Sequence, residues 1–168
     1  MIQIKNAAEL QKMRKACAIS AAALKAGGEA IEPGITTAEI DKIIYDFIVR
    51  HGARPNFLHL YGFPATACIS VNDTVIHGIP TRQQQIRPGD IVSIDTGCKI
   101  DGFNGDNACT YACGKIDLEA QRLLDVTKES LHRGIEMARG GNRVGDIGHA
   151  VQSYVEENGF CLLYTSDA

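Results

Sequence analysis

Several things are missing from this sequence, and each absence closes off a class of function. No apolar run approaches the length of a membrane span, and the opening Met1-Ile2-Gln3-Ile4-Lys5 does not begin a secretory leader. Six cysteines are present, at 17, 68, 98, 109, 113 and 161, but no CxxC pair. Cys109 and Cys113 are four apart on a predicted strand, which is not zinc-ligand spacing. Without an export signal the thiols read as reduced, buried small hydrophobes in a cytoplasmic protein. There is no block of like charge either. Seventeen basic and twenty acidic residues are mixed along the chain for a net charge of −3, which gives no reason to expect nucleic acid or an anionic membrane as a partner. What remains is 45% hydrophobic and 22% charged over 168 residues, enough for one globular domain with a sizeable core.

The informative stretch is residues 90–113, DIVSIDTGCKIDGFNGDNACTYAC. Ile91, Val92 and Ile94 are strand formers, Asp101-Gly102 is a hairpin turn signal, and residues 103–111 return. The hairpin carries two carboxylates, Asp95 and Asp106. With Asp101-Gly102 as the loop, paired positions sum to 203 and Asp106 faces Gly97. With Ile100-Asp101 as the loop, the sum is 201 and Asp95 faces Asp106. Either register sets both carboxylates on one sheet face, because side chains alternate with a period of two. Like charges side by side on strands are destabilising, and a bound cation is the usual compensation.

Around this hairpin the sequence predicts helices. Asn6 and Glu9 begin one that runs to about residue 31, where Pro33-Gly34 stops it. Thr36 and Glu39 form a second capping box, and Ile40, Ile43, Ile44, Phe47 and Ile48 line a helix ending at Gly52. Residues 53–64 read as irregular, residues 66–71 as a short strand, and residues 75–80 as a return segment after the Asn72-Asp73 turn. Beyond Gly114 the pattern predicts helices over about 117–139 and 145–158, broken at Gly140-Gly141. These two repeat the first two at an offset of 107. Gly34 matches Gly141, Glu39-Ile40 matches Asp146-Ile147, Ile44 matches Val151, and Gly52 matches Gly159. The first module, 1–113, has helices and strands. The second, 114–160, has helices only and reads as incomplete. Residues 161–168, CLLYTSDA, read as a foreign tail, the translation of a sequencing adapter.

The runs from Cys68 through His77 to Pro80, from Gly89 to Asp95, and from Asp101 to Asp106 resemble type I methionine aminopeptidase in order and spacing, over residues 1–160. The resemblance implies an α/β (α+β) pita-bread fold, pseudo-twofold, here with its second module incomplete. It also implies removal of the initiator methionine from nascent polypeptide N-termini, at the ribosome, by two divalent ions of the Co, Mn, Fe or Zn class. It makes Asp95 and Asp106 metal ligands, His77 a contact to the scissile amide, and Phe63 and Cys68 walls of the methionine pocket. Leu60 stands where many members have tyrosine, so that wall is altered. The remaining ligands and the general base are expected beyond residue 160, so no catalytic base is assigned and the 168-residue chain is expected to be inactive. Two other readings share the fold, an aminopeptidase P or prolidase-like hydrolase and a metal-free binding module. Retention of both aspartates and His77 argues against the second.

Overall fold

The computed structural model describes residues 3–162. Of the tail expected to be foreign, residues 163–168 lie outside the described residues. The chain divides into two compact units, Met1–Ile116 and Asp117–Ala168.

The first unit begins with α1, Ala7–Glu29, and α2, Thr37–Arg50. Each opens with the capping box expected. Asn6 accepts from the Glu9 amide at 2.9 Å while Glu9 accepts from the Asn6 amide at 2.8 Å, and Thr36 and Glu39 repeat the exchange. The strands are β1, Arg54–Pro55; β2, Ala67–Val71; β3, Ile91–Ile100; and β4, Phe103–Ala112. All pair antiparallel, with β3 in the middle: β4 lies along one side, and β1 and β2 follow one another along the other. Asp101 and Gly102 form the β3–β4 turn with φ of 52° and 85°, the left-handed pair of a two-residue hairpin loop.

Alternation along β3 decides what each face does. Val92, Ile94, Thr96 and Cys98 are buried on the helix side. There Val92, Ile94 and Cys98 join Ile40, Ile44 and Ile48 of α2 and Ile69 of β2 in one core. Each large aliphatic side chain buried in this way contributes about 1.5–3 kcal/mol. The odd-numbered residues of β3, Asp95 and Gly97 among them, project from the opposite face.

The two sheet edges are treated differently. Along β2 two outward amides are capped: Ala67 donates to Asp41 at 2.8 Å, as does the preceding Thr66 at 2.9 Å, and Ile69 donates to the Gly78 carbonyl at 2.8 Å. Residues 75–80 therefore do not form the return strand the sequence suggests. They run as a loop whose Gly78 clamps onto β2, because Pro80 and the left-handed His77 (φ 57°) cannot continue a ladder. Along β4 the Cys113 amide bonds the Asp90 carbonyl at 2.8 Å, which fixes the phase. The backbone groups of Asn104, Asp106, Ala108, Thr110 and Ala112 then point away from β3.

The second unit consists of α3, Leu118–Met137, and α4, Val144–Glu157. Its helix pair repeats the first in detail. A β-carbon on Gly27 would lie 2.7 Å from Ile44 Cδ1 and 3.5 Å from Ile40 Cγ2. One on Gly134 would lie 2.8 Å from Val151 Cγ2 and 3.5 Å from Ile147 Cγ2. All three positions correspond at the offset of 107. So do the left-handed stops, Gly34 with Gly141 (both φ 96°) and Gly52 with Gly159 (72° and 78°). Shared amphipathicity alone would not reproduce a glycine seated against the same partner in both hairpins. The units differ in what covers the first helix. Leu24 is 6% exposed on α1, but its equivalent Leu131 on α3 is 58% exposed. Among the described residues of the second unit there is no strand.

Candidate metal centre

The β3–β4 register pairs Gly97 with Asp106 and Asp95 with Ala108, so the 203 register holds. Asp95 and Asp106 thus share the face away from the helices, on adjacent strands. The two carboxylates act on one another, and this shows in the chemistry of Asp95. Its carboxyl is pushed up to about 6, first by burial, then by the charge of Asp106, then by the hydrogen bond to it, against an opposing pull from His77. Cys68 faces the pair from β2, where Asp95 is its register partner. Its thiol is pushed up to about 11 by burial and by the charges of Asp95, Asp106 and Asp41.

His77 comes from the loop on the other side of β2. The Gly78 amide donates to Ser70 Oγ at 3.0 Å, and a β-carbon at Gly78 would overlap the Ile69 carbonyl. Only glycine lets the loop sit this close, and that approach carries His77 near enough to act on Asp95. Phe63 is a different case. It is half-buried, its amide donates to the Leu60 carbonyl at 2.9 Å and its carbonyl accepts from His59 at 2.8 Å. Those contacts anchor it within its own turn, and none joins it to the carboxylates. Leu60 lies in that 3-10 turn, 49% exposed.

Two residues not singled out from the sequence stand at the pair. A β-carbon on Gly97 would be 3.1 Å from Asn56 Nδ2 and 3.3 Å from Phe57 Cε1. Gly97 is therefore what lets Asn56 and Phe57 close over the carboxylate face. The segment was read as irregular because β1, which places them, is two residues long and has no periodicity to detect.

The donor set suits a hard divalent cation. Two oxygen acids held together in a half-buried site resist joint ionisation, and a dication reverses that balance. Among the described residues no group of three or more histidine, cysteine, aspartate or glutamate side chains is placed to hold a metal.

The raised Asp95 carboxyl has a thermodynamic consequence. A folded-state value above the unfolded one means the native protein binds more protons between about pH 4 and 6, so stability falls as pH rises through that window. After allowance for a half-exposed, screened site, the loss is about 1–2 kcal/mol. Without divalent ions, wild type should therefore lose that much relative to Asp95→Asn between pH 4 and 7.5. Urea melts of both proteins in chelator test this, and parallel pH profiles would contradict it.

Comparison with known proteins places the chain in a family. The family model of metallopeptidase family M24 matches residues 11–166. A methionine aminopeptidase of Clostridium perfringens is 48% identical over 163 residues, covering 97% of this chain and 65% of that relative. The crystal structure of methionine aminopeptidase from Thermotoga maritima superposes with a TM-score of 0.93 at 37% identity, covering 96% of this chain and 65% of that one. An Escherichia coli aminopeptidase P structure, 24% identical with a TM-score of 0.80 over 92% of this chain and 34% of its own, shares the fold. The fold is the α+β pita-bread fold. The chain spans about two-thirds of the length of the curated relatives it matches. By the family match across nearly its whole length, the chain belongs to metallopeptidase family M24.

Proposed function

We propose that this chain is the larger part of a methionyl aminopeptidase that removes the initiator methionine from nascent polypeptides at the ribosome, in the cytoplasm. The observation that supports this best is the register that pairs Gly97 with Asp106 and so sets Asp95 and Asp106 on one sheet face, with Cys68 opposite Asp95 and His77 near enough to act on it. The relatives at 41–48% identity are named methionine aminopeptidases. None of the described helices is long and apolar enough to cross a membrane.

In this reading Asp95 and Asp106 hold divalent metal of the Co, Mn, Fe or Zn class, and the second ion has its other ligands outside residues 1–160. Bound metal would acidify a water and polarise the scissile carbonyl. The chain's own residues do the rest of what can be assigned. His77 donates to the amide or to the charge that develops on it, worth on the order of 3 kcal/mol by comparison with oxyanion donors. Cys68, its thiol kept neutral by burial and then by the neighbouring carboxylates, and Phe63 line the methionine side-chain pocket. Residues 1–113 and 114–160 are two modules of one partial catalytic domain.

Activity should follow completion of the site. The 168-residue chain with Co or Mn should release no methionine from a Met-Ala-Ser peptide. A chimera joining residues 1–160 to the remaining third of the Clostridium perfringens relative should release it, and should lose that activity with Asp106→Ala. Turnover by the 168-residue chain, or a folded chimera indifferent to Asp106→Ala, would contradict the proposal.

A further inference from the structure

We propose that one ordered water is held on the helix side of the sheet by Thr96, Asn107 and Ser20, and that it ties α1 to β3 and β4.

The site is on the reverse of the strands that carry Asp95 and Asp106, and Thr96 and Asn107 are the residues that follow them. The β3–β4 register pairs Thr96 with Asn107. Both project from the helix side, Thr96 with the buried residues of β3 and Asn107 two positions on from Gly105. Side chains directly opposite in this way have β-carbons about 4.5–5.5 Å apart. α1 lies over them: Ser20, fully buried, donates from Oγ to the Thr96 carbonyl at 3.0 Å. The other neighbours are small. Ala67, the β2 partner of Thr96, and Ala16 and Ala23, one helical turn to either side of Ser20, are all fully buried. Their methyl groups can bond neither polar side chain.

Two polar atoms in this seam are left over. Thr96 is fully buried, and its Oγ1 has no hydrogen-bond partner among the described residues. Asn107 Nδ2, on the facing strand, is equally closed to solvent and equally unpartnered. A buried polar group without a bond costs more than a made bond gains, so protein interiors rarely leave one. One water satisfies both. It accepts from Asn107 Nδ2, which can only donate, and donates to Thr96 Oγ1, which can do either. Its second hydrogen suits Ser20 Oγ, whose own hydrogen goes to the Thr96 carbonyl and whose lone pairs remain. Three bonds are the usual complement of a buried water. Each comes from a different element, so the water joins α1, β3 and β4 at one point.

The test has two arms, both on the 168-residue protein. In water-selective NMR spectra the Asn107 side-chain amide protons should show a cross-peak to a long-lived water. In urea melts, Thr96→Val and Asn107→Leu should each raise the unfolding equilibrium constant by about tenfold, because each leaves the remaining polar atoms short of a bond. The double variant should lie closer to wild type than either single one, because two apolar groups no longer need the water. The cross-peak together with this compensation supports the proposal. Compensation without a water cross-peak overturns it in favour of a direct bond between Thr96 and Asn107. Additive losses overturn the sharing of one water, and single variants as stable as wild type overturn the bonds themselves. Should the variants fail to fold, the wild-type spectrum decides alone.

Discussion

Gly105→Ala should destabilise the first unit by about 3 kcal/mol or more, a large share of the stability of a domain this size. Gly105 lies on β4 opposite Cys98, on the helix side of the sheet. A β-carbon there would overlap the Ala16 carbonyl oxygen and come within 2.6 Å of the Cys17 amide nitrogen. Both obstacles are backbone in the middle of α1, so no side chain can swing away. The helix would have to lift from the sheet. That would break the Ser20 Oγ bond to the Thr96 carbonyl at 3.0 Å and the contact from Cys98 Sγ to the Ala16 carbonyl at 3.5 Å. Gly28 makes a useful comparison. Its β-carbon would meet the Tyr111 ring, the movable end of a side chain, so Gly28→Ala should cost less. In urea the Gly105→Ala midpoint should fall sharply with an unchanged m-value. A loss below about 1 kcal/mol would mean α1 is not seated on β4 as described.

Asp106→Ala should have two large effects of opposite sign. Divalent binding should fall by at least about a hundredfold, or roughly 2.7 kcal/mol, because one carboxylate cannot replace a pair. In chelator above pH 6 the same variant should be more stable than wild type, by about 1 kcal/mol after screening. The sign follows from Asp95. Its carboxyl is raised first by burial and second by Asp106, so removing Asp106 takes away part of the cost of ionising it, while burial keeps the rest. A functional residue whose removal stabilises the unliganded protein indicates a ligand site, whereas a structural carboxylate would give the opposite result. Asp41 is such a structural carboxylate. It accepts the Thr66 and Ala67 amides, so Asp41→Ala should destabilise at every pH.

The sequence carried the hairpin and its carboxylates plainly, because an Asp-Gly turn between strand formers fixes register and register fixes faces. It carried the helices and their repeat as well, because capping boxes and glycine stops are local and recur at a constant offset. It did not carry β1. Two residues cannot show a period, and the bond from the Asn56 amide to the Gly97 carbonyl spans forty-one positions. Asn56 and Phe57 were therefore invisible, while the similar-looking Phe63 drew attention. Residues 75–80 misled for a related reason. Val75, Ile76 and Ile79 have strand composition, but they are 66%, 44% and 52% exposed, and among the described residues it is Gly78 that bonds the segment to β2.

The central claim is that Asp95 and Asp106 act as one cation site. A double-mutant cycle of Mn2+ affinity over wild type, Asp95→Asn, Asp106→Asn and the double variant tests it most directly. Wild type should bind with a dissociation constant on the order of 10⁻⁴–10⁻³ M, as expected for so few protein ligands. Each single variant should lose nearly all of that binding, and the double variant should lose no more than either single one. Two independent, additive losses, or a single variant that still binds like wild type, would show that the two carboxylates do not share an ion.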